Sequence, residues 1–350
     1  MDRLKCMNCI KEESACVIRH KINELSKKGM PFLFVLDYEM SSGYLIEKPL
    51  DCAEVLFKIG EINNFNHYLN EISSSSLLQS NHHDSKIDII DKIDYNSYKQ
   101  KFEIVMNGLK RGDSYLSNLT CKTRISVNVP FETILLNSDS YFGIYIPNRF
   151  ISFSPERFVK IENSKIYSYP MKGTIKLSEK DAYKKIMEDH KEGCEHATIV
   201  DLIRNDIGIV SDCVSVERYR YADIVNTSKG DLIQISSEVV GQLSTSYRDR
   251  LGDLLFSLLP AGSISGAPKS STVKILREAE GESRGYYTGI FGYFDGKSLD
   301  SAVLIRFIEI DPGGSLWYRS GGGVTINSDC QMEYSEMLDK IYLPYKRNML

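Results

Sequence analysis

The sequence predicts an α+β fold built on large antiparallel β-sheets covered by helices. Strand and hairpin signals recur without the regular strand–helix alternation of a parallel sheet, and single helical stretches interrupt them. The clearest signal is Asp295-Gly296, a hairpin turn between the apolar runs Tyr286–Phe294 and Leu299–Ile310. A chain of 350 residues with 42% hydrophobic content has ample material for a large core.

The elements follow in order. Residues 1–94 read as an N-terminal segment of the same fold, with one strand at Phe32–Tyr38 and a polar loop over 73–84, which holds Ser73–Ser76 and His82-His83-Asp84. Residues 95–350 form the region that carries the chemistry. Tyr95–Leu109 has helical periodicity and stops at Gly112-Asp113, and Tyr115–Val129 alternates as a strand does. Ser178-Glu179-Lys180-Asp181 resembles a capping box ahead of a polar helix toward Lys191, and a second helix carries Glu195–Arg204. Pro268 opens a helix ending near Gly281, Leu316–Arg319 is a strand leading into Gly321-Gly322-Gly323, and the last helix runs from Met332 to Tyr342, stopped by Pro344.

Composition excludes several classes of function. With 43 Lys plus Arg against 47 Asp plus Glu, the net charge of −4 offers no global attraction for nucleic acid or anionic lipid. No apolar run is long enough to span a bilayer and the first residues lack the apolar centre of a secretion signal, so the expected location is the cytoplasm. Eight dispersed cysteines do not suggest a disulfide scaffold, and Cys6/Cys9 has no second paired cluster to complete a zinc site.

The candidate chemistry lies on two helices and two glycine-rich segments. Glu333, Glu336 and Lys340 share one helix face by their spacing of three and four residues. Polar groups also interrupt the apolar helix Glu195–Asp206. Buried carboxylates need a cation, so hard oxygen donors from these two helices suit Mg²⁺, with Glu195 the better ligand candidate; Asp201, Arg204 and Asp206 can alternatively form a structural ion-pair network. Gly321-Gly322-Gly323 reads either as a plain turn or as backbone exposing amides to an anion. Gly262–Lys269 feeds a helix N-terminus suited to a carboxylate and lacks the Gly-Lys-Ser/Thr ending of a nucleotide loop.

Five motifs in order, Ser154-Pro155-Glu156-Arg157-Phe158, Pro170–Thr174, Glu195–Asp206, Gly262–Lys269, and Gly321–Gly323 followed by Glu333, Glu336 and Lys340, resemble the chorismate-utilising enzymes. That family includes anthranilate synthase large subunits, isochorismate and salicylate synthases, and aminodeoxychorismate synthase component I. The resemblance implies an anthranilate synthase component I-like fold, its sheets packed as a sandwich with helices outside. It implies Mg²⁺ held by Glu195 and Glu336 with Glu333 assisting. It also implies that Thr174, Ser263, Tyr287, Arg306, Gly322, Gly323 and Lys340 bind chorismate.

Within the family, Lys172 points to aminodeoxychorismate synthase component I, because anthranilate and isochorismate synthases usually have a small residue there. The lysine that isochorismate synthases use to activate water is missing from Tyr115–Thr120. The resemblance then implies that Lys172 attacks C2 of chorismate while Glu156 protonates the departing C4 hydroxyl, after which ammonia enters at C4 and expels the lysine. No nucleophilic elbow surrounds any cysteine, so a separate glutamine amidotransferase subunit is the expected ammonia source. Anthranilate synthase component I is the nearest alternative, and an inactive chorismate-binding regulatory subunit is the non-enzyme one. Two departures are visible. Gln234 stands where many relatives have histidine, and Phe34–Glu39 lacks the usual tryptophan-feedback motif, so no tryptophan inhibition is expected. His196 is expected to serve helix packing.

Overall fold

The computed structural model describes residues 10–72, 86–225, 231–266 and 268–344; the Cys6/Cys9 pair and the 73–84 stretch lie outside them. Among the described residues, ten strands form one antiparallel sheet and eight a second. Phe32–Leu36 shows how the layers arise. Phe32, Phe34 and Leu36 face a helical layer, Leu33 and Val35 face the other sheet, and all five are fully buried.

The core between the sheets takes Leu33, Val35, Phe291 and Ala302 from one side and Phe57, Phe142, Ile144 and Phe307 from the other. Helices Ala15–Lys27, His190–Val210 and Leu251–Leu258 cover the larger sheet. Tyr95–Arg111, Lys269–Glu280 and Cys330–Asp339 cover part of the smaller one. The expected sandwich with helices outside is the observed architecture. The N-terminal segment contributes to both sheets, since Phe32–Leu36 pairs with Ile290–Phe294 and Leu56–Ile59 with Phe142–Ile146.

Local chemistry set most of the boundaries. Asp94 caps the amides of Asn96 and Ser97, and Gly112 ends that helix at φ 80°. Four expectations need correction. No capping box forms at Ser178–Asp181: Asp181 sits in the left-handed region without a side-chain cap, the helix Ala182–Glu188 is short, and a new helix starts at His190 under an Asp189 cap. The last helix is Cys330–Asp339 with Lys340 as its cap, ending before Pro344. Gly321–Gly323 belong to the strand Leu316–Val324 and make no turn. Leu299–Ile310 is two strands, Leu299–Val303 in the larger sheet and Phe307–Ile310 in the smaller.

That last break places the site. The chain crosses between sheets at Pro155-Glu156 and again at Leu304–Arg306, and the crossings are stitched together. The Val303 amide donates to the Glu156 carbonyl at 3.1 Å, the Phe153 amide to the Arg306 carbonyl at 3.1 Å, and the Ser152 hydroxyl to the Ile305 carbonyl at 2.8 Å. Arg306 holds φ 52°, an unfavourable value for an arginine that these neighbours impose.

Candidate active site

Glu156 leaves the first crossing with its Oε1 accepting a 2.7 Å hydrogen bond from the Ser263 hydroxyl. Burial raises the pKa of this carboxyl, against the Ser263 hydrogen bond and the positive charges of Arg306, Lys172 and Lys340. A carboxyl that keeps its proton longer than usual, ringed by three cations, is equipped to act as an acid.

Lys172 is aimed by a bulge. The strand Met171–Lys176 pairs with Leu232–Gln242, but the register slips between Met171 and Thr174, and Gly173 sits at φ 83°. The bulge leaves Lys172 Nζ 3.6 Å from Glu195 Oε2, both side chains about three-quarters covered at 28% and 24% exposure. Thr174 lies exposed beyond the bulge, opposite Gln234 in the sheet, and no contact among the described residues ties it to the charged set.

The opposite wall is the strand Leu316–Val324. Its Gly321, Gly322 and Gly323 pair with Thr120, Leu119 and Asn118 on one side. The strand on the other side stops pairing at Arg319, so among the described residues that edge is open along the glycines. A Cβ on Gly322 would come 3.1 Å from Glu333 Oε2 and 3.7 Å from Lys340 Nζ. One on Gly323 would come 3.3 Å from Leu116 Cδ1 and 3.6 Å from Lys172 Nζ. Successive strand residues point to opposite faces, so the two lysines approach the open edge from both sides. An antiparallel strand directs alternate amides to its two edges, so the open side of this glycine segment takes only some of them.

The second acidic helix lies beside this edge. Lys340 Nζ is 2.8 Å from Glu336 Oε1 and donates to the Gly321 carbonyl at 2.8 Å. Burial raises Glu333, relieved in part by a 2.7 Å hydrogen bond from Ser328 and worsened by Glu336. Burial also acts on Glu336, but Lys340, Lys172 and Arg306 outweigh it and lower its pKa. Tyr287 is buried against Phe307 near Arg306, and burial pushes its hydroxyl up to about 12. Arg306 Nε donates to the Tyr342 hydroxyl at 3.1 Å.

Two of the expected groups have defined partners within the protein. Ser263, expected at the substrate, spends its hydroxyl proton on Glu156. Asp201, Arg204 and Asp206 do not form one network: Asp201 and Arg204 pair on the surface at 3.3 Å, whereas Asp206 is buried and meets Lys269 Nζ at 3.0 Å. The nearby Gly262 amide, like Lys269, favours the charged form of Asp206 against the effect of burial.

The sequence profile of the chorismate binding enzymes matches residues 52–345. The chain belongs to the chorismate binding enzyme family. A Haemophilus influenzae protein named an uncharacterized PabA-like protein is 42% identical over 331 residues, covering 92% of this chain and 94% of its own. Anthranilate synthase component 1 of Archaeoglobus fulgidus is 29% identical, covering 91% and 81%. Aminodeoxychorismate synthase component 1 of Salmonella typhimurium is 32% identical over 260 residues, covering 70% and 56%. The crystal structure of anthranilate synthase component I from Streptococcus pneumoniae superposes with a TM-score of 0.68 at 22% identity, covering 89% and 79%, which establishes the shared fold.

Several carboxylates gather around the two lysines. Glu195 on one helix and Glu333 and Glu336 on the other present hard carboxylate oxygens around Lys172. Among the described residues no three acidic, histidine or cysteine side chains already converge on one point, because Glu195 faces Lys172 and Glu336 faces Lys340. The donor chemistry fits magnesium, and a divalent cation would relieve the like-charge crowding at Glu333. Glu192 is a further member of this acidic set that the sequence reading passed over. Burial and then Glu195 raise its pKa, and its Oε2 would be 3.0 Å from a Cβ on Gly173. Its spacing from Glu195 repeats that of Glu333 from Glu336, and this was the available signal. His196 is fully buried within the helix packing, as expected, and burial lowers its pKa to about 4. Among the described residues no helix is long and apolar enough to cross a membrane.

Proposed function

We propose that this enzyme is an aminodeoxychorismate synthase component I, converting chorismate and ammonia to 4-amino-4-deoxychorismate. The observation that carries the proposal is the bulge that presents Lys172 between Glu195 and the Gly323 edge, with Glu156 within the same field of charge. Lys172 attacks C2 once its ammonium proton has left. The ring double bonds shift toward C4, and Glu156 donates its proton so that the C4 hydroxyl leaves as water. Ammonia then adds at C4, the double bonds shift back, and the lysine amine departs from C2.

Arg306, Lys340 and the Gly322 and Gly323 amides bind the substrate carboxylates, Tyr287 lines the pocket, Ser263 orients Glu156, and Thr174 is assigned to the substrate rim. When bound, Mg²⁺ held by Glu195 and Glu336, with Glu333 assisting, neutralises substrate charge and polarises the ring. Ammonia comes from a separate glutamine amidotransferase subunit, a reading supported by the relatives' name, component 1. The enzyme works in the cytoplasm, and a lyase completes 4-aminobenzoate for folate synthesis.

The Archaeoglobus fulgidus relative favours anthranilate synthase as the second reading, in which C2 is aminated and pyruvate released. Chorismate, ammonium and Mg²⁺ with and without an added aminodeoxychorismate lyase separate the two. 4-Aminobenzoate that depends on the lyase is the expected result; anthranilate formed without it rejects the proposal. Activity indifferent to a chelator rejects the metal assignment.

A further inference from the structure

His196 and Ser237, both fully buried, meet where two irregular strands flank a regular one. Ser236 is the register partner of Met171 on one side of its strand and of Tyr221 on the other. On the first side the Lys172-Gly173 bulge follows; on the second, the register slips between Arg218 and Tyr221 and Arg220 takes φ 47°. Ser237 touches both irregularities. Its amide donates to the Pro170 carbonyl at 3.0 Å, just before the lysine bulge, and its hydroxyl oxygen accepts from the Arg220 amide at 3.0 Å.

The third partner of Ser237 is His196 Nε2, at 2.6 Å from the hydroxyl. His196 follows Glu195 in the helix His190–Val210, so this hydrogen bond ties the strand next to the bulge to the helix turn that presents Glu195 to Lys172. The ring lies edge-on to Tyr219, its Nδ1 has no partner of full geometry among the described residues, and it is within reach of the Lys172 backbone. A buried polar contact at such a junction specifies one arrangement, because any alternative strands its groups without partners.

We propose that His196 and Ser237 are a positioning pair that locks the Lys172 bulge to the helix carrying Glu195. The catalytic part of this inference rests on the reading of Lys172 as nucleophile; the structural part does not. The test uses the full chain with His196→Phe, Ser237→Ala and His196→Gln, whose amide can return a hydrogen bond to Ser237. Amide hydrogen exchange is followed over Met171–Thr174 and over the distant strand Phe32–Leu36, alongside steady-state turnover of chorismate.

His196→Phe and Ser237→Ala should each speed exchange at Met171–Thr174 by about tenfold or more, leave Phe32–Leu36 unchanged, and lower kcat by about 10- to 100-fold with KM nearly constant, as misplaced reacting groups do. His196→Gln should recover most of both losses. Exchange rising equally in both segments, or unchanged at Met171–Thr174, overturns the proposal. Should the phenylalanine variant not fold, Ser237→Ala, which removes one oxygen, decides alone. Lys172→Ala with undiminished product would defeat the nucleophile reading, and hydrogen exchange would then decide by itself whether the pair locks the bulge.

Discussion

Replacing Lys172 with alanine separates catalysis from stability, because the structure predicts very different sizes for the two effects. The ion pair to Glu195 spans 3.6 Å with both partners about a quarter exposed. Partly solvated pairs of this kind contribute about 0–1 kcal/mol net, since desolvation and screening offset most of the Coulomb attraction. A domain stable by roughly 5–15 kcal/mol stays almost wholly folded after such a loss. Removing a covalent nucleophile should instead slow C4 amination by about a thousandfold or more, equivalent to ~4 kcal/mol on the barrier. Any chorismate still consumed is expected to react at C2, where water or ammonia replaces the lost amine. The assay is product chromatography with excess ammonium and lyase, paired with urea unfolding of the same preparation. Aminodeoxychorismate formation at the wild-type rate by a folded Lys172→Ala enzyme would refute the reasoning.

Three further outcomes follow from the same geometry. Turnover should fall as pH rises through the raised Glu156 pKa, since the acid must be protonated; Ser263→Ala removes a hydrogen bond that favours the carboxylate and should move that limb to higher pH, while movement to lower pH would contradict the assigned role. Gly322→Ala should fold with a stability change of about 1 kcal/mol or less, because the residue is not in the left-handed region, yet raise KM for chorismate about tenfold or more by crowding Glu333 and Lys340; an unchanged KM would remove the glycine edge from the binding site. Burial raises the Asp206 pKa above its unfolded value, so its favourable titration contribution is complete below the ordinary aspartate range and is lost as pH rises through the folded pKa; urea unfolding should show wild type losing ground to Asp206→Asn over that rise, and a pH-independent difference would reject it.

The regular parts of the molecule were legible because periodicity reports burial. Phe32–Leu36, the helix that stops at Gly112 and the Asp295-Gly296 hairpin follow from strand alternation, helical periodicity and turn residues. The break inside Leu299–Ile310 was hidden because both halves are apolar and both are strands; only their sheets differ. Gly321–Gly323 suggested a turn because glycine is costly in a strand, but here bare Cα atoms leave space for charged heads at an open edge. The capping-box pattern at Ser178 failed because the chain enters that short helix through a left-handed Asp181 that makes no side-chain cap. Glu192 was overlooked beside a stronger motif although its spacing was visible.

These failures share a cause that bears on how the site works. Lys172 stands on a bulge, Glu156 on a sheet crossing, Arg306 at a left-handed φ, and the glycines on an edge that loses its partner at Arg319. Periodicity cannot forecast any of them, because each interrupts the pattern that periodicity detects. Each is nonetheless anchored by a buried residue close by: Ser237 beside the bulge, Phe153 before Glu156, Phe307 after Arg306, Ser320 before the glycines. Irregular backbone lets side chains from both sheets converge, and the adjacent buried strand keeps each from wandering. Groups that must act together at two positions of one substrate require both properties, so the most vulnerable substitutions should include anchoring residues such as Ser237 as well as the groups proposed to touch substrate.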